Sequence, residues 1–444
     1  MLLPPFKPQS ALHLRALRGE RRAGDKHLRG SVVVVDIETA DFNTSRMRSG
    51  GKELLSLALI DARNHTLRWI AVYEEALADQ GWRVPKRPEL NPPLWALGHV
   101  GWFQEYWLAR NVQRGRGTAC APDAPRLASI EPEADRWYDP SHVLHANRWQ
   151  LDLPDLQATK QYLAETIEVT LELLETTEES DEALYFFRLA LFHEDRHGEA
   201  LATMAQTLGL GLESGRGLVP AMAALPARAP LRLDATRVLI GSKPGGFVFD
   251  NEKWAHEVMV RAFEIDAQPV TWSQYTEFVA DGGYDEKAWW SAEGWEWAQR
   301  VGRRVPRHVD QMRHGVLVQR YGQRVRVPLA QPVMHVSWYE ADAWCRWAGR
   351  RLPTETEWEA AVLCGHARGF RWGDVWEWTA TTFQPYPGFS ADPYRDYSQP
   401  WFGTHKVLRG ASFATRGRMR HAKARNYFLP QRDDIFSGFR SCAV

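Results

Sequence analysis

One stretch of the sequence combines metal-binding side chains with a helix-forming pattern. Residues 183–210 read ALYFFRLALFHEDRHGEALATMAQTLGL and contain His193 and His197, four positions apart. On an α-helix, side chains at this spacing lie one turn apart on the same face. That face also carries apolar side chains, namely Phe186, Ala190, Leu201 and Met204. Both imidazoles should therefore point into an apolar core, where their nitrogens need a hydrogen-bond partner or a metal ion.

A third histidine lies on another predicted helix, in the stretch NPPLWALGHVGWFQEYWLARN. Asn91 is the expected N-cap, and the two prolines after it suit a first helical turn. His99 shares the inner face of this helix with Trp95, Trp102 and Tyr106. One histidine in such a position is more often an ordinary buried residue. Three together predict a site for zinc or iron(II), with coordination positions left open.

The string His193-Glu-Asp-Arg-His197 is also the H-E-x-x-H pattern of zinc proteases. In those enzymes the glutamate activates a water molecule, and a third metal ligand usually follows downstream. The 20 residues after His197 contain no histidine, which makes a protease the weaker hypothesis. We expect Glu194 and Glu199 to orient the imidazoles or to serve the structure.

Composition excludes several classes of partner. The chain has 55 basic and 55 acidic residues, so no net charge attracts it to nucleic acid or to a membrane surface. Four widely spaced cysteines argue against a disulfide framework and against a cysteine-based zinc site. No apolar run approaches the roughly 20 residues that span a bilayer, and no signal peptide is recognisable. A cytoplasmic protein is the simplest expectation.

The pattern along the chain predicts two domains of different class. Residues 1–50 are an arginine-rich extension with one strand-like run, VVVVDIE, and residues 51–212 carry four amphipathic helices expected to form a bundle. Residues 213–232 are rich in Gly, Pro and Ala and are interpreted as a linker. In 233–444, short strands alternate with a few helices. The predicted fold class is therefore α+β, a four-helix bundle followed by a mixed domain.

Longer motifs give these segments a family resemblance. GHVGWFQEYWLARN and LFHEDRHGEA resemble the DinB-like bundle of the non-haem iron sulfoxide synthases of ergothioneine biosynthesis. In the second half, QPVMHVSWYEADAWCRWAGRRLPTETEWEAA, GDVWEWTATTF and DDIFSGFRSC resemble the formylglycine-generating-enzyme domain, which is related to C-type lectins. The resemblance covers nearly all of residues 52–444.

Such a resemblance implies an O₂-dependent oxidoreductase with iron(II) held by the three histidines. Its substrate would be hercynine, a trimethylated histidine, located at Asn426 and Tyr427, with Arg432 near a sulfur or selenium donor. Tyr427 and some of the 21 tryptophans could enclose the trimethylammonium group through cation–π contacts. Catalytic side chains are not predicted.

Departures from the family pattern bear on which sulfur or selenium donor the protein is expected to use. Arg196 replaces a common glutamine between the two helical histidines, Phe428 replaces an acidic residue, and Phe383 replaces a catalytic tyrosine. Some family members have an arginine-rich pattern that binds the carboxylates of γ-glutamylcysteine. In its place this chain has the segment WYDPSHVLHANRWQ, which contains Arg148. We assign these four side chains to substrate binding. Their pattern is unfavourable for a thiol donor with several charges.

The sister group of selenoneine synthases fits these departures better. Its members join hercynine to the neutral selenosugar 1-seleno-glucose, so C–Se bond formation towards selenoneine is the main hypothesis. The alternative is C–S bond formation with cysteine or γ-glutamylcysteine. A formylglycine-generating oxidase is less expected because Cys442 has no cysteine close in sequence. A non-catalytic binding module is disfavoured because structural zinc usually has four protein ligands.

Overall fold

The computed structural model describes residues 43–213, 215, 217–224 and 226–444; the strand-like run VVVVDIE lies outside them. The first half of the described chain is helical. Its helices are α1 (Lys52–Leu77), α2 (Pro93–Trp107), the short α3 (Ala134–Tyr138), α4 (Leu156–Thr176) and α5 (Asp181–Leu208). The four long helices form a bundle in which α1 packs on α5 and α2 packs on α4.

Local sequence signals explain where the bundle helices begin and end. α4 and α5 begin after Asp155 and Ser180, whose side chains accept hydrogen bonds from backbone N–H groups of the first turn. α5 ends at Gly209, which adopts the left-handed conformation with φ 69°. Asn91 does not cap α2 as predicted. Pro92 takes that position, and the Asn91 Oδ1 atom instead accepts a hydrogen bond from Arg148.

The second half combines four helices with short strands. The helices are α6 (Trp272–Ala280), α7 (Ala292–Val301), α8 (Trp338–Trp347) and α9 (Glu355–Gly365). The strands are β1 (Leu231–Leu233), β2 (Thr236–Ile240), β3 (His256–Val260), β4 (Phe263–Ile265), β5 (Val309–Gln311), β6 (Val316–Arg320), β7 (Gln323–Val327), β8 (Arg350–Arg351), β9 (Trp376–Thr382), β10 (Lys406–Gly410), β11 (Arg425–Phe428), β12 (Ser437–Phe439) and β13 (Cys442–Ala443).

These strands form four small sheets in the described chain, with orders β1-β4-β13-β8, β11-β10-β9-β12, β2-β3 and β5-β6-β7. In the second sheet β12 runs parallel to β9, whereas β10 is antiparallel to both of its neighbours. Capping boxes predicted from Ser337 with Glu340 and from Thr354 with Glu357 are confirmed at the starts of α8 and α9.

Buried ion pairs join the helical and strand-rich halves, which lie within one compact unit. Arg418 is fully buried and donates to Asp195 of α5 at 2.6 Å and to Asp61 of α1 at 2.8 Å. Arg48, just before α1, donates to Glu252 at 2.6 Å. The pair between Asp195 and Arg418 holds α5, the helix that carries His193 and His197, against the second half. The domain boundaries at 50, 212 and 232 stay an interpretation of the sequence.

Candidate metal centre and substrate cavity

The structure brings the three predicted histidines together. His99 extends from α2, while His193 and His197 extend from α5, and one ligand nitrogen from each lies within 4.8 Å of the others. The ring centroids are 4.4 to 5.2 Å apart. This convergence follows from two helices that each direct an apolar face, with its histidines, into the same core.

Packing and one hydrogen bond fix the ring of His99. Its Nδ1 atom lies 2.9 Å from the carbonyl oxygen of Tyr138. Because a carbonyl oxygen only accepts, Nδ1 must donate, and the lone pair of the neutral ring is on Nε2. Trp95 and Trp102 stack on the ring at centroid distances of 4.9 and 5.5 Å. His193 is held in a similar way by Phe103, which stacks on it at 3.5 Å.

Burial also favours the metal-binding protonation state of these rings. Loss of solvation lowers the pKa of His99 to about 4 and lowers the pKa values of His193 and His197 well below the usual range. All three are therefore neutral near pH 7 and present nitrogen lone pairs. A set of three neutral imidazoles suits iron(II) or zinc and leaves coordination positions for substrates.

The acidic residues beside the histidines serve the structure. The Glu194 carboxylate accepts from Arg63 at 2.9 Å and from Thr66 at 2.7 Å, deep in the bundle. Engaged in this way, it is not available to activate water as the glutamate of a zinc protease does. Glu199 accepts from the indole N–H of Trp376 at 2.8 Å and from Thr415 at 2.8 Å, which ties α5 to the second half.

A cavity of about 480 Å³ opens beside His193 and His197 and extends towards β11. Five of the predicted substrate-binding residues line it: Arg196, Asn426, Tyr427, Phe428 and Arg432. Its wall also includes three aromatic residues that the sequence analysis did not single out: Trp376, Tyr394 and Tyr397. The two tyrosines lie at a single 3₁₀ turn, Arg395–Tyr397, in a loop that is too short to show a helical or strand period, and the string PYRDY was the one available signal.

Two other predicted residues lie behind the cavity wall. Phe383 is fully buried because its ring stacks beneath Tyr427, with centroids 4.1 Å apart. Arg148 places its guanidinium 3.6 Å from the ring centroid of Trp95, which in turn stacks on His99. Phe383 can therefore influence the site through Tyr427, and Arg148 can do so through Trp95.

Most arginines at the cavity already have carboxylate partners. Arg48 pairs with Glu252, Arg425 with Glu355, and Arg432 with Asp434. Arg196 differs, since within the described residues its hydrogen bond at 2.6 Å goes to the hydroxyl of Tyr397. The guanidinium of Arg196 also lies 4.8 Å from the centroid of the same tyrosine ring. Thus Arg196 is the cavity arginine best placed to meet an anionic group.

Comparison with known proteins connects both halves to one family. The DinB superfamily matches residues 71–205, and the sulfatase-modifying factor enzyme 1-like domain matches 223–374 and 369–443. The chain is 34% identical to the hercynine oxygenase of Mycolicibacterium smegmatis, over 88% of this chain and 98% of the relative. The hercynine oxygenase of Mycobacterium tuberculosis is 33% identical, over 87% and 98%.

This chain belongs to the hercynine oxygenase family. The predicted fold class, a DinB-like bundle followed by a formylglycine-generating-enzyme-like domain, is confirmed. Membership also indicates an oxidoreductase. A formylglycine-generating enzyme of Streptomyces coelicolor is 27% identical, but the match spans 44% of this chain and 82% of that relative.

Two further expectations bear on other classes of protein. The four cysteines form no disulfide in the part of the chain that the structure describes, and Cys120, Cys345 and Cys442 are buried. In the described part of the chain, no helix combines the length and apolar character needed to cross a bilayer.

Proposed function

We propose that this hercynine oxygenase homologue uses O₂ to join the imidazole C2 of hercynine to a sulfur or selenium donor, with iron(II) held by His99, His193 and His197. The main support for this proposal is that three neutral imidazoles converge beside a cavity of about 480 Å³. In the reaction, the C2–H bond and the donor's S–H or Se–H bond break, and a carbon–chalcogen bond forms. One oxygen atom stays on the chalcogen, and the other leaves as water. Bound iron(II) would supply the electron transfers that let O₂ react and would favour the donor anion.

The aromatic residues in the cavity wall are suited to binding a cationic substrate. The rings of Tyr394, Tyr397 and Tyr427 border the cavity, and each cation–π contact with a trimethylammonium group contributes about 0.5–2 kcal/mol. Asn426 accepts from the Tyr427 backbone N–H at 3.0 Å through Oδ1, which leaves its NH₂ group free to donate to hercynine. Together these groups would orient the imidazole towards the three histidines.

Two donor classes are each supported by a different observation. The relatives are hercynine oxygenases, which supports hercynine as the substrate. A thiol donor, cysteine or γ-glutamylcysteine, with a sulfoxide product is what the resemblance to the sulfoxide synthases implies. The charge pairing in the cavity favours a donor with few charges, such as 1-seleno-glucose. Engaging Arg48, Arg425 or Arg432 with a donor carboxylate would require these arginines to release buried glutamate or aspartate partners, which is costly.

A neutral sugar instead needs hydroxyl partners and an aromatic surface. The loops before α2 and after α3 and the segment after Tyr397 contribute such groups to the cavity wall: Asn91, His145, Trp401 and His405. We therefore propose the selenosugar as the second candidate donor.

Competition between donors tests the proposal. The iron-reconstituted protein would be incubated in air with hercynine and equal amounts of 1-seleno-glucose, cysteine and γ-glutamylcysteine, and the products identified by mass spectrometry. A dominant C–Se product supports the selenosugar, and a dominant sulfoxide supports the thiol donor. Absence of any hercynine-derived product, with iron bound, would refute the proposed reaction.

A further inference from the structure

A second, much smaller cavity lies in the strand-rich half. It is enclosed by the β5–β6–β7 sheet, the last turns of α5 and the segment before α8, and its volume is about 10 Å³. A space of this size holds one water molecule or one ion. Its wall includes His308, Tyr321, Met334 and His335. None of these residues takes part in the proposed hercynine reaction.

Several polar atoms in this cavity lack partners among the residues that the structure describes. The His308 Nε2 atom, both ring nitrogens of His335 and the Tyr321 hydroxyl are buried and make no hydrogen bond to any of those residues. The backbone of Asp433 approaches His335 without meeting hydrogen-bond geometry. His335 is 3% exposed and Tyr321 is 5% exposed, so bulk water does not satisfy them. Buried polar groups are nearly always paired, and several unpaired atoms around one cavity indicate a missing binding partner.

The backbone around the cavity is also unusual. His308, Tyr321 and His335 have φ angles of 65°, 47° and 63°, in the left-handed region that non-glycine residues rarely adopt. Because this backbone conformation costs free energy, three such residues around one cavity indicate that the fold keeps it in order to direct these side chains. Strain of this kind concentrates at binding sites.

The spacing of the two histidines matches that of a metal site. Their ring centroids are 4.8 Å apart, which falls within the 4.4 to 5.2 Å found among His99, His193 and His197. Two rings at this distance can both bind one ion with their free nitrogens. The neighbouring thioether of Met334 and the Tyr321 hydroxyl would complete a neutral set of donors.

We propose that His308 and His335 form a second metal site, which binds a single copper(I) ion. Among the described residues that line this cavity there is no aspartate, glutamate or cysteine. Arg320 adds positive charge, whereas Arg307 is paired with Glu89 at 2.9 Å and with Asp433 at 3.0 Å. A divalent ion is therefore harder to accommodate than a monovalent one, because the cost of burying charge rises steeply with charge. Imidazole and thioether donors match the preferences of copper(I).

The ion would have a structural role. Gln206, on the same helix as His193 and His197, donates to the carbonyl of Gln319 at 2.7 Å and accepts from the N–H of Tyr321 at 2.9 Å. Binding at His308 and His335 would in addition tie the start of β5 to the segment before α8. The proposal includes no redox step and is independent of the donor that the hercynine site uses.

Copper(I) titration of the iron-loaded protein under nitrogen, in competition with a chromogenic chelator, tests the site. The variant to compare is His308→Asn/His335→Asn, since asparagine removes the imidazoles and tolerates positive φ. His314→Ala is the matched control, because His314 is an exposed histidine between β5 and β6. We expect one tight copper(I) equivalent in the wild type and control, at least 100-fold weaker binding in the double variant, and equal iron content in all three.

Equal copper(I) affinity in the double variant, or no copper(I) equivalent in the wild type, would overturn the proposal. Zinc that binds this site more tightly than copper(I) would overturn the assignment of the ion. X-ray absorption at the copper edge of the wild type gives an answer even when the double variant does not fold. Two imidazole nitrogens at about 2 Å are expected, and a shell of oxygen donors without imidazole would contradict the site.

Discussion

Gly98→Ala is the substitution that tests most sharply how the bundle positions its metal-binding residues. A Cβ atom at Gly98 would lie 2.2 Å from the ring of Tyr138, whereas ordinary contacts begin at 3.4 Å. The tyrosine ring must therefore move by about 1.2 Å. It is nearly fully buried and packs against Tyr162, so it has little room to do so. Overpacking of this kind costs about 1–3 kcal/mol of stability.

The same movement should reach His99. Its Nδ1 atom bonds to the backbone carbonyl of Tyr138 at 2.9 Å, and a displacement of about 0.7 Å would lengthen that contact beyond hydrogen-bonding range. Loss of a hydrogen bond that orients a metal-binding histidine typically weakens metal binding roughly 10- to 100-fold. We expect a decrease of this size in iron(II) affinity.

Competition with an iron(II) chelator under nitrogen measures the affinity, and circular dichroism confirms that the variant is folded. Gly115→Ala is the matched control, because a Cβ atom there meets nothing within 4 Å. It should bind iron(II) as the wild type does. Wild-type affinity in Gly98→Ala would refute the argument that Tyr138 positions His99.

Three further substitutions test the site and the fold around it. Glu194→Gln should cost roughly 3–5 kcal/mol in chemical denaturation, because it leaves the Arg63 charge buried without its partner; an unchanged stability would contradict a structural role. Arg196→Gln should raise the KM of the donor about 10- to 100-fold with iron content unchanged, and an unaltered KM would remove Arg196 from donor binding. Burial raises the pKa of Asp250 to about 6, so this carboxyl weakens the fold as pH rises from about 4 to 6. The stability of Asp250→Asn relative to the wild type should increase by about 3 kcal/mol over that range, and parallel pH curves would be the contrary result.

Features with a local cause were predictable from the sequence. The spacing of His193 and His197 places both imidazoles on one face of α5, and the apolar neighbours on that face show that it is buried. Capping boxes such as Ser337 with Glu340 depend on contacts three residues apart, so a short pattern is sufficient to identify them.

Features that depend on distant contacts were not predictable. Arg48 meets Glu252 across 204 positions, so the sequence cannot show which cavity arginines are neutralised. Tyr397 reaches the cavity from a single 3₁₀ turn, which is too short to leave a periodic pattern in the sequence. Phe383 was assigned to substrate contact by resemblance, yet it packs beneath Tyr427 where β9 ends.

Iron content and O₂ uptake of the wild type and His99→Ala test the central claim most directly. If imidazoles from α2 and α5 hold one redox-active ion beside the cavity, the wild type binds one iron(II) per chain. Hercynine together with the correct donor should then trigger O₂ consumption, and His99→Ala should lose both properties while it stays folded. Wild-type iron affinity in His99→Ala, or O₂ uptake that does not depend on hercynine, would contradict the account.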